Sequence, residues 1–238
     1  MAMKPITSGH PVIKQDAFNR RVSNVRDKIS WDFDNAEGAI ESLRQVVDST
    51  SPHEGYTVPK LDENDADRIA FFDSETPTYK FQYTLRTLRR ELKRTARYGR
   101  PFSLLVVAID GLKYMHGEHK KEIELAMLQQ TGSILNSLVR RDIDLVGRYT
   151  GNRFLIILPE TPGKGASVLA ERIRTKFEQT EIKFNLISLP LTVSIGIAHI
   201  PGHKGEAEEL LVQADIAAEA IERRGGNGVQ FASLSDSV

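Results

Sequence analysis

Arg141 and Asp144 put a guanidinium and a carboxylate three residues apart, at the end of an expected helix. A guanidinium is a planar fork of donors that can grip a phosphate or a guanine Hoogsteen edge with two bonds. A carboxylate beside it can accept from the N1–H and amino group of guanine. Taken alone, such a spacing is also what an exposed local ion pair looks like, and such pairs contribute little to stability. Further on, Thr150-Gly151-Asn152-Arg153-Phe154 reads as a tight turn between strands, and Ala108-Ile109-Asp110-Gly111-Leu112-Lys113 carries one acid at the end of an apolar run. His116 and His119 have no carboxylate set near them, and a metal site needs about three or four ligands, so both read as surface residues. Arg172 and Arg174 lie on a later helix, where a solvated face is the plain reading.

These residues need elements to hold them. Phe81, Leu85, Leu88 and Leu92 recur at helical spacing, with Gly99 as the cap and Pro101 as the stop. Phe102 to Ile109 reads as a buried strand. A loop from Asp110 to Glu118 leads to a long helix from about Lys120 to Val139, with Ile123, Met127, Ile134, Leu135 and Leu138 inward. The segment from Arg141 to Leu158 reads as a charged turn, a strand, a turn at Gly151 and a second strand. A helix over Gly163–Thr180 follows, with Leu169, Ile173 and Phe177 inward. Leu191–Ala198 is then a strand, Glu206–Arg224 a helix, and Val229–Phe231 a short edge strand. This order predicts an α/β architecture, a sheet with helices packed on it.

The N-terminal third is organised differently. Phe18, Val22, Val25 and Ile29 form a narrow apolar seam on a helix from about Gln15 to Ser30. Asp34 and Glu37 have capping-box spacing before a second helix with Ala36, Ala39, Ile40, Leu43, Val46 and Val47 along one stripe. The two predict a helical hairpin with Trp31 and Phe33 at its corner. The expected organisation is a loose N-terminus over 1–14, the hairpin over 15–50, a linker over 51–72, the α/β domain over 73–231 and a tail over 232–238.

Composition excludes several classes. Of 238 residues, 32 are basic and 32 acidic, so the net charge is zero, which argues against a general nucleic-acid or membrane binder. Cysteine is absent, so neither disulfides nor Cys-ligated metals are available. No apolar run approaches the roughly 20 residues of a membrane helix. Met1 to Lys14 lacks the apolar core of a signal peptide, and a cytoplasmic protein is the expectation.

The turn and its flanks resemble the signature of GGDEF domains, the diguanylate cyclases that join two GTP molecules into cyclic di-GMP. In that family a Gly-Gly-(Asp/Glu)-Glu-Phe turn supplies a metal-binding carboxylate, and many members carry Arg-x-x-Asp five residues earlier as an inhibitory product site. The second motif stands intact here as Arg141-x-x-Asp144. Leu191-Thr192-Val193-Ser194-Ile195-Gly196-Ile197-Ala198 is close to the family's Val-Thr-Val-Ser-Ile-Gly-Ile-Ala, and Ala214-Asp215 matches its Ala-Asp pair. Asp73 and Thr76 match the family's opening stretch. The resemblance implies a palm-like sheet flanked by helices, with the N-terminal helices as an extension.

Position by position, the resemblance also implies lost chemistry. The two metal carboxylates fall on Ala108 and Asn152, and the acid after the second falls on Arg153. The guanine-binding residues fall on His116 and Leu125, the phosphate-binding Lys on Glu222, and a following Arg on Gly226. Mg²⁺ needs oxygen ligands, mostly carboxylates, so the resemblance implies no catalytic site and no metal or cofactor. It implies a cyclic di-GMP site at Arg141 and Asp144, completed by Arg172, with Arg174 as the local alternative. Such sites commonly take a stacked pair of molecules, whose second face can join a neighbouring domain, a second copy or a protein partner that the sequence does not name. The expectation is a receptor or effector that relays binding to the N-terminal region or to a partner. The alternatives are a scaffold that binds no nucleotide, and a residual GTP-binding or cyclase activity through Asp110.

Overall fold

The structure is a computed structural model and describes residues 17, 19–24, 70–112, 117, 119–184, 187–203 and 205–233. In chain order the elements are α1 (Phe81–Tyr98), β1 (Phe102–Ile109), α2 (Lys120–Leu138), β2 (Leu145–Thr150), β3 (Arg153–Pro159), α3 (Gly163–Glu178), β4 (Glu181–Phe184), β5 (Ile187–Pro190), β6 (Val193–Ile200), α4 (Ala207–Glu222) and β7 (Gly228–Phe231). The main sheet runs β2-β3-β1-β6-β7. All its pairings are antiparallel except β6 with β7, which is parallel. β4 and β5 form a separate hairpin.

Side-chain alternation explains why the sheet carries helices on both faces. Leu104, Val106 and Ala108 of β1 point to one side and pack with Leu85 and Leu88 of α1 and Leu210, Ala214 and Ala218 of α4. Leu105, Val107 and Ile109 point to the other and pack with Met127 and Leu135 of α2 and Ala170, Ile173 and Phe177 of α3. A strand buried on both faces reads as a nearly continuous apolar run, as β1 does apart from Ser103, which donates to the Thr161 carbonyl at 2.8 Å. On β6 the bulky Val193, Ile195 and Ile197 face α2 and α3, while Ser194, Gly196 and Ala198 face α4. That small-residue row brings α4 close: a Cβ at Gly196 would lie 1.9 Å from the Ala214 carbonyl oxygen.

Local signals read correctly in most places. Gly99 adopts φ 66° and its N–H caps α1 at the Thr95 carbonyl. Glu206 and Glu209 form a capping box at the start of α4. The fourth strand of the expected series is shifted, running Val193–Ile200 instead of Leu191–Ala198. β4 and β5 have no counterpart in the sequence reading.

Of the expected N-terminal seam, only Val22 is described. Residues 19–24 are helical, and Val22, 6% exposed, joins the apolar cluster of Phe81, Tyr149 and Val212. Phe18, Val25, Ile29, the second helix, the linker over 51–65 and the extreme tails lie outside the described residues. Among the described residues, no helix is long and apolar enough to cross a membrane.

Candidate functional site

The first cluster is built where α2 ends. The chain turns over residues 140–144, with the N–H of Asp144 donating to the Arg140 carbonyl at 2.8 Å. Asp144 closes the turn from its side chain, accepting from the Arg140 backbone N–H at 2.8 Å. The Arg140 guanidinium then forks onto the same carboxylate, Nε to Oδ2 at 3.0 Å and Nη2 to Oδ1 at 2.6 Å. Arg140 is further anchored to Thr161 Oγ1 at 2.9 Å. The Asp144 side chain is 2% exposed, and the hydrogen bond that Arg140 donates to Asp144, stronger than the burial that opposes it, raises the Arg140 pKa.

Asp144 therefore pairs with Arg140, not with Arg141. Arg141 is exposed and has no hydrogen-bond or ion-pair partner among the described residues. Arg172 reaches across from α3 and donates Nη2 to the Leu138 carbonyl at 2.5 Å, which puts it beside the turn. Arg174 is committed elsewhere: it bonds Glu171 at 2.8 Å, Glu178 at 3.1 Å and Asn227 at 2.9 Å, on the β7 side of α3. The fold thus gathers Arg140, Arg141, Asp144 and Arg172 at one corner. Arg140 is the member that sequence reasoning missed, although its i,i+4 spacing to Asp144 is a readable signal.

The second cluster sits at the tip of the β2–β3 hairpin. Gly151 takes φ 49° at the turn, a conformation that costs glycine least. Asn152 clamps the end of β1, donating Nδ2 to the Ile109 carbonyl at 2.6 Å and accepting the Ile109 N–H on its own carbonyl at 2.9 Å. The same amide reaches Glu222 Oε1 at 3.3 Å. Arg153 lies opposite Ala108 on the face covered by α4. Its Nη2 meets Glu222 Oε2 at 2.6 Å and its Nε meets Asp215 Oδ1 at 3.1 Å. All three side chains are largely buried, at 14%, 18% and 5% exposure for Arg153, Asp215 and Glu222. Burial works to lower the Arg153 pKa, but Asp215 and Glu222 outweigh it and raise it. Burial lifts Asp215, against the pull of Arg153 and Arg21.

The arrangement surrounds a covalently attached cation with two carboxylates. A divalent ion brought here would meet the Arg153 charge at short range in a poorly solvated site. Asp110, the one acid left at the end of β1, is already used. Its Oδ2 accepts from Thr192 Oγ1 at 2.8 Å and the Asn227 N–H at 2.8 Å, and its Oδ1 from Ser194 Oγ at 2.6 Å. Gly226 permits that approach, since a Cβ there would lie 2.6 Å from the carboxylate. Among the described residues, no group of three or more His, Asp or Glu is placed to hold a metal. His119 pairs with Glu122 at 2.6 Å in solvent, and His116 lies outside the described residues. Leu125 is exposed on α2.

Known proteins share this framework. The chain is 33% identical over 144 residues to diguanylate cyclase DosC of Escherichia coli K12, which covers 60% of this chain and 31% of that protein. It thus spans about a third of the length of that relative. The coiled coil and GGDEF domain of DgcB from Caulobacter crescentus, solved in complex with c-di-GMP, superposes with a TM-score of 0.64 at 20% identity, covering 85% of this chain and 98% of that one. Diguanylate cyclase SiaD of Pseudomonas aeruginosa, solved with its activator SiaC, superposes with a TM-score of 0.64 at 23% identity over 91% of this chain and 81% of that one. The profile described as "Diguanylate cyclase, GGDEF domain" matches residues 70–228, from the segment before α1 to the start of β7, and by that match this chain belongs to the GGDEF family.

Proposed function

We propose that this chain is a non-catalytic receptor for cyclic di-GMP, with a degenerate active site at the hairpin tip and the ligand held at Arg141, Asp144 and Arg172. The observation that carries the reading is the contrast between the two clusters. At the tip, the positions that the family uses for metal and triphosphate carry Ala108, Asn152, Arg153 and Glu222, and Asn152 and Arg153 both bond Glu222. At the end of α2, two exposed guanidinium groups flank a carboxylate, a donor and acceptor set suited to guanine edges and phosphates.

The relatives' names support a cyclic dinucleotide as the ligand, and the DgcB structure supports a GGDEF fold that holds one. The SiaD–SiaC complex supports the idea that such a domain works with a protein partner. Binding here would act by favouring one arrangement of the N-terminal region or of a partner over another, as far as its affinities for the two differ. The full occupation of the Asp144 carboxylate by Arg140 favours the competing reading, a scaffold that binds no nucleotide.

Calorimetric titration of the purified protein with cyclic di-GMP and with GTP separates the two readings. The receptor binds the first, and the scaffold binds neither. Incubation with GTP and Mg²⁺ or Mn²⁺, followed by chromatography, is expected to yield no cyclic di-GMP above a protein-free control. Product formation would return the chain to the enzymes.

A further inference from the structure

The receptor reading needs the Asp144 carboxylate to accept from a guanine edge, yet both its oxygens are spoken for. Oδ2 takes the Arg140 N–H at 2.8 Å and Nε at 3.0 Å, and Oδ1 takes Nη2 at 2.6 Å. What remains exposed is not the carboxylate, at 2%, but the guanidinium that covers it, at 52%. The cover is held from behind by Thr161 Oγ1 at 2.9 Å and the Pro159 carbonyl at 3.3 Å, at the end of β3.

We infer that Arg140 is a latch on the dinucleotide site: it occupies the acceptor that the guanine must use, and it has to swing away before ligand can bind. This rests on the receptor reading and concerns how that site is regulated. The physical logic is competition for one carboxylate. The backbone N–H at 2.8 Å can stay, because it fixes the turn and uses one lone pair. The two guanidinium bonds cannot, because they fill the outward directions that the guanine N1–H and amino group require. Arg141 and Arg172 stand clear of this competition. Arg141 has no partner among the described residues, and Arg172 spends one bond on a carbonyl.

Two consequences follow. The apparent affinity equals the intrinsic affinity multiplied by the fraction of molecules with the latch open. Anything that draws Arg140 away, such as an acidic group of a partner at this corner, would raise ligand affinity without touching the ligand. The released guanidinium also remains next to the site.

The test uses the whole chain, with cyclic di-GMP as the probe, on the wild type, Arg140→Ala and Arg140→Gln. A latch predicts that both variants bind tighter, by about fivefold to thirtyfold, the range set by exchanging one or two charge-assisted hydrogen bonds. Gln is shorter and neutral but keeps an amide donor without the fork, so it falls between Ala and the wild type. If Arg140 were a ligand contact, both variants would bind more weakly, and that result overturns the latch while leaving the receptor reading in place. Equal affinity in all three overturns it as well. If none of the three binds, the receptor reading fails and the latch fails with it. A ligand-free double-mutant cycle of melting temperatures on Arg140→Ala and Asp144→Asn guards the interpretation. Additive effects would mean that the fork is absent in solution, and any gain in affinity would then have another origin.

Discussion

At the scale of single residues, the two arginine clusters differ in what their side chains are free to do. Arg141 is exposed and unpaired among the described residues, so its removal is expected to act on binding and hardly on stability. Calorimetry on Arg141→Ala should show a loss of about 30-fold or more in cyclic di-GMP affinity, the usual cost of truncating one partner of a charge-assisted pair. Arg172→Ala should lose less, since one of its donors is already spent on Leu138. Arg153 is the converse case. It pairs with both Asp215 and Glu222, and removing it takes that cation away from two buried carboxylates. Denaturant melts of Arg153→Ala are expected to show a loss of about 3 kcal/mol, with ligand affinity unchanged. The swap Arg153→Glu with Glu222→Arg should recover much of that stability. An Arg153→Ala protein as stable as the wild type would mean that the network is not a buried ion cluster. The sequence announced this cluster only through the resemblance: Asn152, Arg153 and Glu222 stood out as departures from a signature. That Asn152 and Arg153 both bond Glu222 required the hairpin tip and the end of α4 to be placed side by side.

At the scale of elements, what was legible is what local chemistry decides. β1 is apolar except for Ser103, and its ends match the reading because Pro101 and Asp110 bracket it. α1 ends at Gly99 for the reason that a left-handed cap favours glycine. β4 and β5 escaped because Glu181–Phe184 and Ile187–Pro190 are short and carry too few alternations to separate a hairpin from a loop. The β6 shift has a tertiary cause: residues 193–200 pair along the whole of β1, and the pairing sets the limits. Two elements carry tests. Gly196→Ala would drive a methyl into the α4 backbone at Ala214, so a destabilisation of about 2–3 kcal/mol is expected in denaturant melts. A variant within a few tenths of the wild type would show that α4 can back away. The helical segment 19–24 docks through buried Val22 and through Arg21, whose Nη1 meets Glu219 at 2.8 Å. Val22→Asp is expected to release it, read as faster proteolysis N-terminal to residue 70 with the rest intact. Unchanged cleavage would mean that the contact contributes nothing in solution.

At the scale of the molecule, β2 separates the two clusters. It runs from the turn at 140–144 to the turn at Gly151, and its 6 residues span roughly 20 Å at strand rise. That distance is why changes at the hairpin tip and at the Arg141–Asp144 corner should add independently. A different device ties the far edge of the sheet together. His199, on β6, stacks edge-on against His203 and Phe231 at 5.3 and 5.5 Å. His203 meets the His199 backbone on one ring nitrogen and the Ala232 carbonyl on the other, both at 3.1 Å, so it fastens the chain after β7 to the end of β6. Burial, with His203 adding to it, lowers the His199 pKa below its ordinary 6.5. The sign follows directly. As pH falls, the unfolded chain binds this proton first, so the stability His199 contributes is complete above about 6.5 and is lost as pH falls through the lowered value. Among the carboxylates, burial lifts Asp215, whose protonation favours the fold as pH falls and so opposes the His199 effect; comparison with a His199 variant separates the two. Burial opposes it, but Arg21 and Arg223 hold Glu219 below its ordinary 4.5. Taking up the His199 proton is therefore expected to lower the melting temperature between pH 7.5 and pH 5.5. His199→Gln cannot take up the proton, and its melting temperature should stay nearly level over the same range. If His199→Gln falls as steeply as the wild type, the proton goes elsewhere and the β6–β7 edge is not the part of the fold that senses it.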